Sequence, residues 1–204
     1  MSRPKSYDPE TVLDRATELF WSHGFHATSM RDVSDATDLR PGSLYGSFGG
    51  KRELFLAVLE RYYAGTRDAV EEALATAPDP LEGARRFLEG VAEAAIADDR
   101  ARGCLMVNTV LEADALDDAE LRQRVDAMFS GIEERLEGAL EAARKAGQLE
   151  ADRDTARLAR TLIAAVYGLR VYQRRQPAPE ILRELATELL TLLPPRSTAP
   201  TATA

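Results

Sequence analysis

The sequence predicts an all-α fold, and three observations carry that expectation. Ala, Leu, Glu and Arg dominate the chain, and all four are strong helix formers. Apolar residues recur at spacings of three and four, the signature of a helix face. No segment shows the strict apolar–polar alternation of a half-buried strand. The 204 residues are about one and a half times a usual domain, which suits a small helical module joined to a larger helical body.

Taken in order, the helices declare themselves by local chemistry. Asp8-Pro9 is a helix start: Asp8 can accept a backbone N–H, and Pro9 stands where its missing donor costs nothing. Val12, Leu13, Ala16, Leu19 and Phe20 then share a face until Gly24 stops the helix. Ser29 opens a second helix, with Asp32 completing a shortened capping box, and this helix ends near Thr37. Asp38 and Leu39 form a tight turn, Pro41 restarts a helix carrying Leu44, Tyr45 and Phe48, and Gly49-Gly50 closes it. A longer helix runs from Lys51 and fades towards Ala77-Pro78-Asp79-Pro80. Further helices are expected over Leu81 to Ala97, Gly103 to Leu111, Leu121 to Ala143 with a stop at Gly147, Thr155 to Arg174, and Pro179 to Leu193. After Pro194-Pro195 the small, polar tail is expected to be disordered.

Charge and composition limit the function. Lys and Arg number 26 against 34 Asp and Glu, a net charge of -8. That excludes a protein that coats nucleic acid by bulk charge, so any contact with a duplex must be local. The acidity is uneven: residues 1–54 carry a net -1 and the remainder -7. The longest apolar run, Thr161 to Leu169, is nine residues, far short of the ~20 needed to span a bilayer. Arg3 and Lys5 precede no apolar stretch, so no secretory signal is read. The single cysteine, Cys104, forbids an internal disulfide and fits a reducing compartment. A cytoplasmic protein without membrane contact is the expectation.

Residues 11–55 are the informative segment. A supporting helix, a short helix, a three-to-four-residue turn and a second short helix make the geometry of a helix-turn-helix. Its second helix offers Ser43, Tyr45, Gly46 and Ser47, with Arg40 at the entrance and Lys51 just beyond. Small polar residues let a backbone approach the major-groove floor, while hydroxyl and basic groups reach phosphates. The start of the preceding helix, Thr28-Ser29 with Arg31, offers N–H groups and a positive dipole end to a phosphate. Arg3 and Lys5 could add contacts in an adjacent groove.

The run Thr28-Ser29-Met30-Arg31-Asp32-Val33, then Gly42-Ser43-Leu44-Tyr45, Phe48, Gly50-Lys51 and Glu53-Leu54-Phe55 resembles the DNA-binding domain of the TetR family of bacterial transcriptional regulators. Three positions depart from the family pattern. Asp38 stands where the turn usually has Gly, Arg40 where a Ser caps the helix, and Gly46-Ser47 where a bulkier pair is common. Asp tolerates the left-handed conformation, so the turn is kept, while the last change alters which bases are read.

The resemblance implies a homodimer on a palindromic operator in double-stranded DNA, most often as a repressor, released by a small-molecule effector. It implies DNA contacts from Thr28, Ser29, Arg31, Arg40, Ser43, Tyr45, Ser47 and Lys51. It places an effector among Tyr63, Phe87, Val91, Cys104, Met106, Val107, Asn108, Leu111, Phe129 and Tyr167. The apolar stripes Leu158, Leu162, Val166, Leu169 and Leu182, Leu185, Leu189 are the implied dimer interface. Domain boundaries follow: 1–50 for DNA, 51–195 for effector and dimer, 196–204 as tail. Gly-Cys-Leu around Cys104 is similar to the reactive-thiol neighbourhood of an electrophile-sensing branch, so a thiol sensor is the alternative.

The residues lend an enzyme or small-molecule carrier no support. His23 and His26 bracket Gly24 without a third ligand, so no metal is expected. Gly50-Lys51 is followed by Arg52 rather than Ser or Thr, so it is no phosphate-binding loop. No nucleophile elbow or zinc-protease motif is present. No catalytic residue and no cofactor are expected.

Overall fold

The computed structural model describes residues 8–116 and 118–196. The expected arm at Arg3 and Lys5 and the tail from Ser197 lie outside the described residues. Within them the chain forms α1 Pro9–Ala27, α2 Met30–Thr37, α3 Pro41–Phe48, α4 Lys51–Thr76, α5 Pro80–Ala97, α6 Leu105–Leu116, α7 Ala119–Lys145, α8 Thr155–Gln173 and α9 Pro179–Leu190. No strand is present among them.

Local chemistry sets most boundaries. The Asp8 carboxylate accepts the Glu10 N–H at 3.1 Å, with Pro9 at the first helical position of α1. The Ser29 hydroxyl accepts the Asp32 N–H at 3.1 Å while the Asp32 carboxylate accepts the Ser29 N–H at 2.7 Å, a reciprocal cap that starts α2. The hydrogen bonds that the Ser29 hydroxyl and N–H donate to it hold the Asp32 carboxyl below the usual aspartate range. Asp38, at φ 57°, takes the left-handed cap expected of the turn, and its N–H returns to the Ser34 carbonyl. Asp79 and Asp154 cap α5 and α8 through the N–H groups of Glu82 and Arg157. Gly147, at φ 74°, ends α7, and the Gln148 N–H reaches back to the Ala143 carbonyl at 2.9 Å.

Three elements depart from the reading, and the simplest is α9, which ends at Leu190 rather than Leu193. Gly24 does not stop α1 but breaks it, with φ 83° and ψ 171° inside a helix that continues to Ala27. The helix expected from Gly103 starts later, at Leu105, and runs on to Leu116. Gly103 itself has φ 74°, which no helix admits, and the later residues find partners on α1.

The helices gather into two compact units. The first takes the chain up to Asp68 together with Arg100–Ser130, and the second takes Ala69–Asp99 with the chain from Gly131. In the first, Val12, Ala16, Phe20, Val33, Leu44, Leu54, Phe55, Val58 and Leu59 are buried. Phe55 is its aromatic centre, with its ring 5.0 Å from Phe20 and 4.9 Å from Phe25. In the second, α5, α8 and α9 pack on one another around Ala92, Leu169, Leu182 and Ala186.

Candidate nucleic-acid interface

α2, the Asp38–Arg40 turn and α3 form the helix-turn-helix, and several bonds fix its shape. The Ser34 hydroxyl donates to the Leu39 carbonyl across the turn. The Thr37 hydroxyl folds back onto Val33, and Arg15 ties α1 to the Ala36 carbonyl at 3.3 Å. Val33 and Leu44 are fully buried and anchor both helices in the core of the first unit. What remains outside is the polar face: Pro41, Gly42, Ser43, Tyr45 and Gly46 are exposed on α3, and Ser47 is half-buried. Arg31 and Arg40 are exposed as well. A Cβ at Gly42 or Gly46 would meet no atom within 4 Å, so folding does not require glycine there.

The remaining phosphate candidates are engaged in holding the head. Thr28 corrects the reading: it is buried, and its hydroxyl donates to the Gly24 carbonyl at 2.7 Å. The Ser29 hydroxyl is spent on Asp32. The Lys51 ammonium lies 4.3 Å above the Phe25 ring and 3.4 Å from the His26 carbonyl. Burial pulls its pKa down, against the charges of Glu112 and Asp32.

Contacts not foreseen from sequence join the head to the segment after Arg100 within the same unit. The Trp21 indole N–H donates to the Gly103 carbonyl at 3.1 Å, and the Arg102 guanidinium stacks 3.9 Å over the same ring. Arg102 also pairs with Glu18 at 2.6 Å. A Glu112 carboxylate oxygen accepts the N–H groups of Phe25 and His26 at 2.8 and 3.1 Å. Arg52, at the start of α4, binds Asp118 at 2.7 Å and Glu120 at 2.8 Å. A Trp with its neighbours names itself in a sequence only as a packing residue, and a carboxylate that caps backbone N–H groups leaves no mark there.

The expected effector residues fall in both units. Tyr63, Cys104, Met106, Val107, Asn108 and Phe129 lie in the first, Phe87, Val91 and Tyr167 in the second, and each is buried or half-buried. Asn108 donates its amide to the Arg102 carbonyl at 2.9 Å, so it also shapes the entry to α6. Leu111 is a correction: at 71% exposure it faces away from any interior. The dimer stripe needs one too. Leu158, Leu162, Val166, Leu169, Leu182 and Leu189 are buried within a single chain, and Leu169 and Leu182 are spent on the cluster with Ala92 of α5 and Ala186 of α9. Leu185 is exposed, with Val171, Ile181 and Leu192, and a shallow groove of about 300 Å³ runs beside it past Ala165, Gly168 and Tyr172.

Among the described residues no helix is long and apolar enough to cross a membrane. No group of three or more His, Cys, Asp or Glu is placed there to hold a metal ion.

Residues 12–58 match the model of the bacterial regulatory proteins of the tetR family, and residues 80–188 match the Tetracyclin repressor-like C-terminal domain. The protein belongs to the TetR family. Its relatives include the HTH-type transcriptional repressor ComR of Escherichia coli, 32% identical over 94% of this chain and 91% of that one. The HTH-type transcriptional regulator YezE of Bacillus subtilis is 34% identical over 79% of this chain and 84% of its own. Among solved structures, a cysteine mutant of the TetR-family regulator CifR complexed with 26-bp operator DNA superposes with a TM-score of 0.82. It is 27% identical and is covered over its full length by 95% of this chain. The α2–turn–α3 unit lies wholly inside the first family segment.

Proposed function

We propose that this TetR-family protein represses transcription by binding a palindromic operator as a homodimer, and that a small-molecule effector releases it. The observation that carries the reading is the polar face of α3, with Gly42, Ser43, Tyr45 and Gly46 exposed, presented by a helix-turn-helix whose turn is held by the Ser34–Leu39 hydrogen bond. The repressor role draws on ComR, and the operator on CifR. Two α3 helices about 34 Å apart would meet successive major-groove faces. Ser43 and Ser47 face the bases, while Tyr45, Arg31 and Arg40 hold phosphates.

Residues 1–50 are the DNA-binding module in this reading, and 51–195 serve effector binding and dimerisation. The outer sides of α8 and α9, centred on Leu185, make the dimer contact. The effector shifts the population between a dimer that fits the operator and one that does not. The buried and half-buried residues Tyr63, Cys104, Met106, Val107, Asn108 and Phe129 of the first unit supply its surroundings.

The test is a gel shift of the purified protein against DNA flanking its own gene, together with selection from a random duplex library. Recovery of a palindrome bound by a dimer is expected; recovery of no sequence preference would overturn the proposal.

A further inference from the structure

The corner between α1 and α2 contains an arrangement that folding of the head alone does not explain. At Gly24 the backbone takes φ 83° and ψ 171°, a region essentially reserved for glycine. The break turns the N–H groups of Phe25 and His26 away from α1. Both meet one oxygen of the Glu112 carboxylate, at 2.8 and 3.1 Å, and Glu112 lies on α6, 87 residues from Phe25. A Cβ at position 24 would collide with the same carboxylate. The cationic Lys51, stacked on Phe25 and touching the His26 carbonyl, is held charged in part by Glu112.

The two N–H groups freed at the break are thus capped by a carboxylate that comes from another helix. Its consequence is mechanical. Thr28 hangs from the Gly24 carbonyl, and α2 begins immediately after, at Met30. The direction in which α2, and with it α3, leaves the corner rests on a carboxylate that α6 supplies.

We infer that Glu112 is a positioning residue for operator binding, the pin through which α6 sets the reading helix. The inference rests on the operator-binding reading above. Charge-assisted hydrogen bonds are about twice as strong as neutral ones. Loss of two of them is expected to free the corner and to weaken operator binding without unfolding the protein.

The experiment compares the full-length wild type with Glu112→Ala and Glu112→Gln. Amide hydrogen exchange at Phe25 and His26 is read without DNA, and affinity is measured for the duplex recovered by selection. Glu112→Ala is expected to lose at least about tenfold in protection at both amides and about 10- to 100-fold in operator affinity. Glu112→Gln, which keeps an acceptor oxygen and loses the charge, should fall between. Formate, a carboxylate small enough for the space left in Glu112→Ala, should restore part of both signals, whereas chloride at equal ionic strength should not.

Unchanged protection in Glu112→Ala would overturn the inference, and so would lost protection with unchanged operator affinity. Should the alanine variant fail to fold, the glutamine variant decides, since wild-type exchange and affinity in it would overturn the role of the charge. The exchange arm needs no DNA, so failure of the wild type to bind any operator would defeat the functional reading and remain distinguishable from failure of the pin.

Discussion

Gly24 concentrates two constraints in one residue. Its backbone occupies a region that a side chain strains, and the space a Cβ would need is filled by Glu112. Gly24→Ala is therefore expected to cost about 1–3 kcal/mol, measured as a fall in the urea midpoint with an unchanged slope. Cys104 is the other residue on which a functional reading turns. It is a buried thiol, and thiol reactivity needs access as well as a thiolate. The folded protein should react slowly with a disulfide reagent such as DTNB and rapidly in urea. Fast reaction of the folded state would put the thiol-sensor alternative back in place of a core role. Gly24 was readable as a helix interruption, but not that the chain resumes beyond it, because the carboxylate that permits this comes from α6.

At the scale of elements, the head was legible wherever the determining chemistry is local. Asp8-Pro9, the Ser29–Asp32 box, Asp38 and Gly147 mark boundaries that neighbouring residues alone settle. Tertiary partners decided the rest. The apolar stripes of α8 and α9 look alike whether they face α5 or a second subunit, and burial assigns most of them to the interior. The same holds on α3, where periodicity puts Leu44 inside and leaves Ser43 and Tyr45 outside, but cannot show that Thr28 and Lys51 are occupied elsewhere. Phosphate contacts and base contacts should separate on mutation. Tyr45→Phe is expected to weaken binding to all duplexes by a similar factor, whereas Ser43→Ala should change the sequences selected from a random library.

For the whole molecule, charge and assembly set the predictions. The Arg52 guanidinium holds the Asp118 carboxyl down at about 2, below the ordinary 3.8, and the same pairing raises Arg52. Folded Asp118 gives up its proton more readily than the unfolded chain. The pairing therefore contributes in full above about pH 4, and its contribution is lost as the pH falls towards about 2. Thermal melts of wild type and Asp118→Asn should differ at pH 6 and converge near pH 2. Part of the contribution is screened, because Arg52 is about a third exposed (36%). The exposed Leu185 makes the dimer testable without damage to the core. Leu185→Glu should remain folded by circular dichroism and sediment as a monomer, since an isologous interface places the new charges close to their symmetry mates. The net -7 borne outside residues 1–54 should repel a duplex and favour approach through α3.

Trp21 is the single tryptophan of the chain, and its place beneath Arg102, against the Gly103 carbonyl and 5.1 Å from the Tyr62 ring, has an optical consequence. An indole so closely surrounded reports its neighbours through the colour and intensity of its emission. Any compound that moves the start of α6 relative to α1 should change that emission without a label. The protein therefore carries its own fluorescent indicator, with which a library of metabolites can be searched for the effector before a single operator sequence is known.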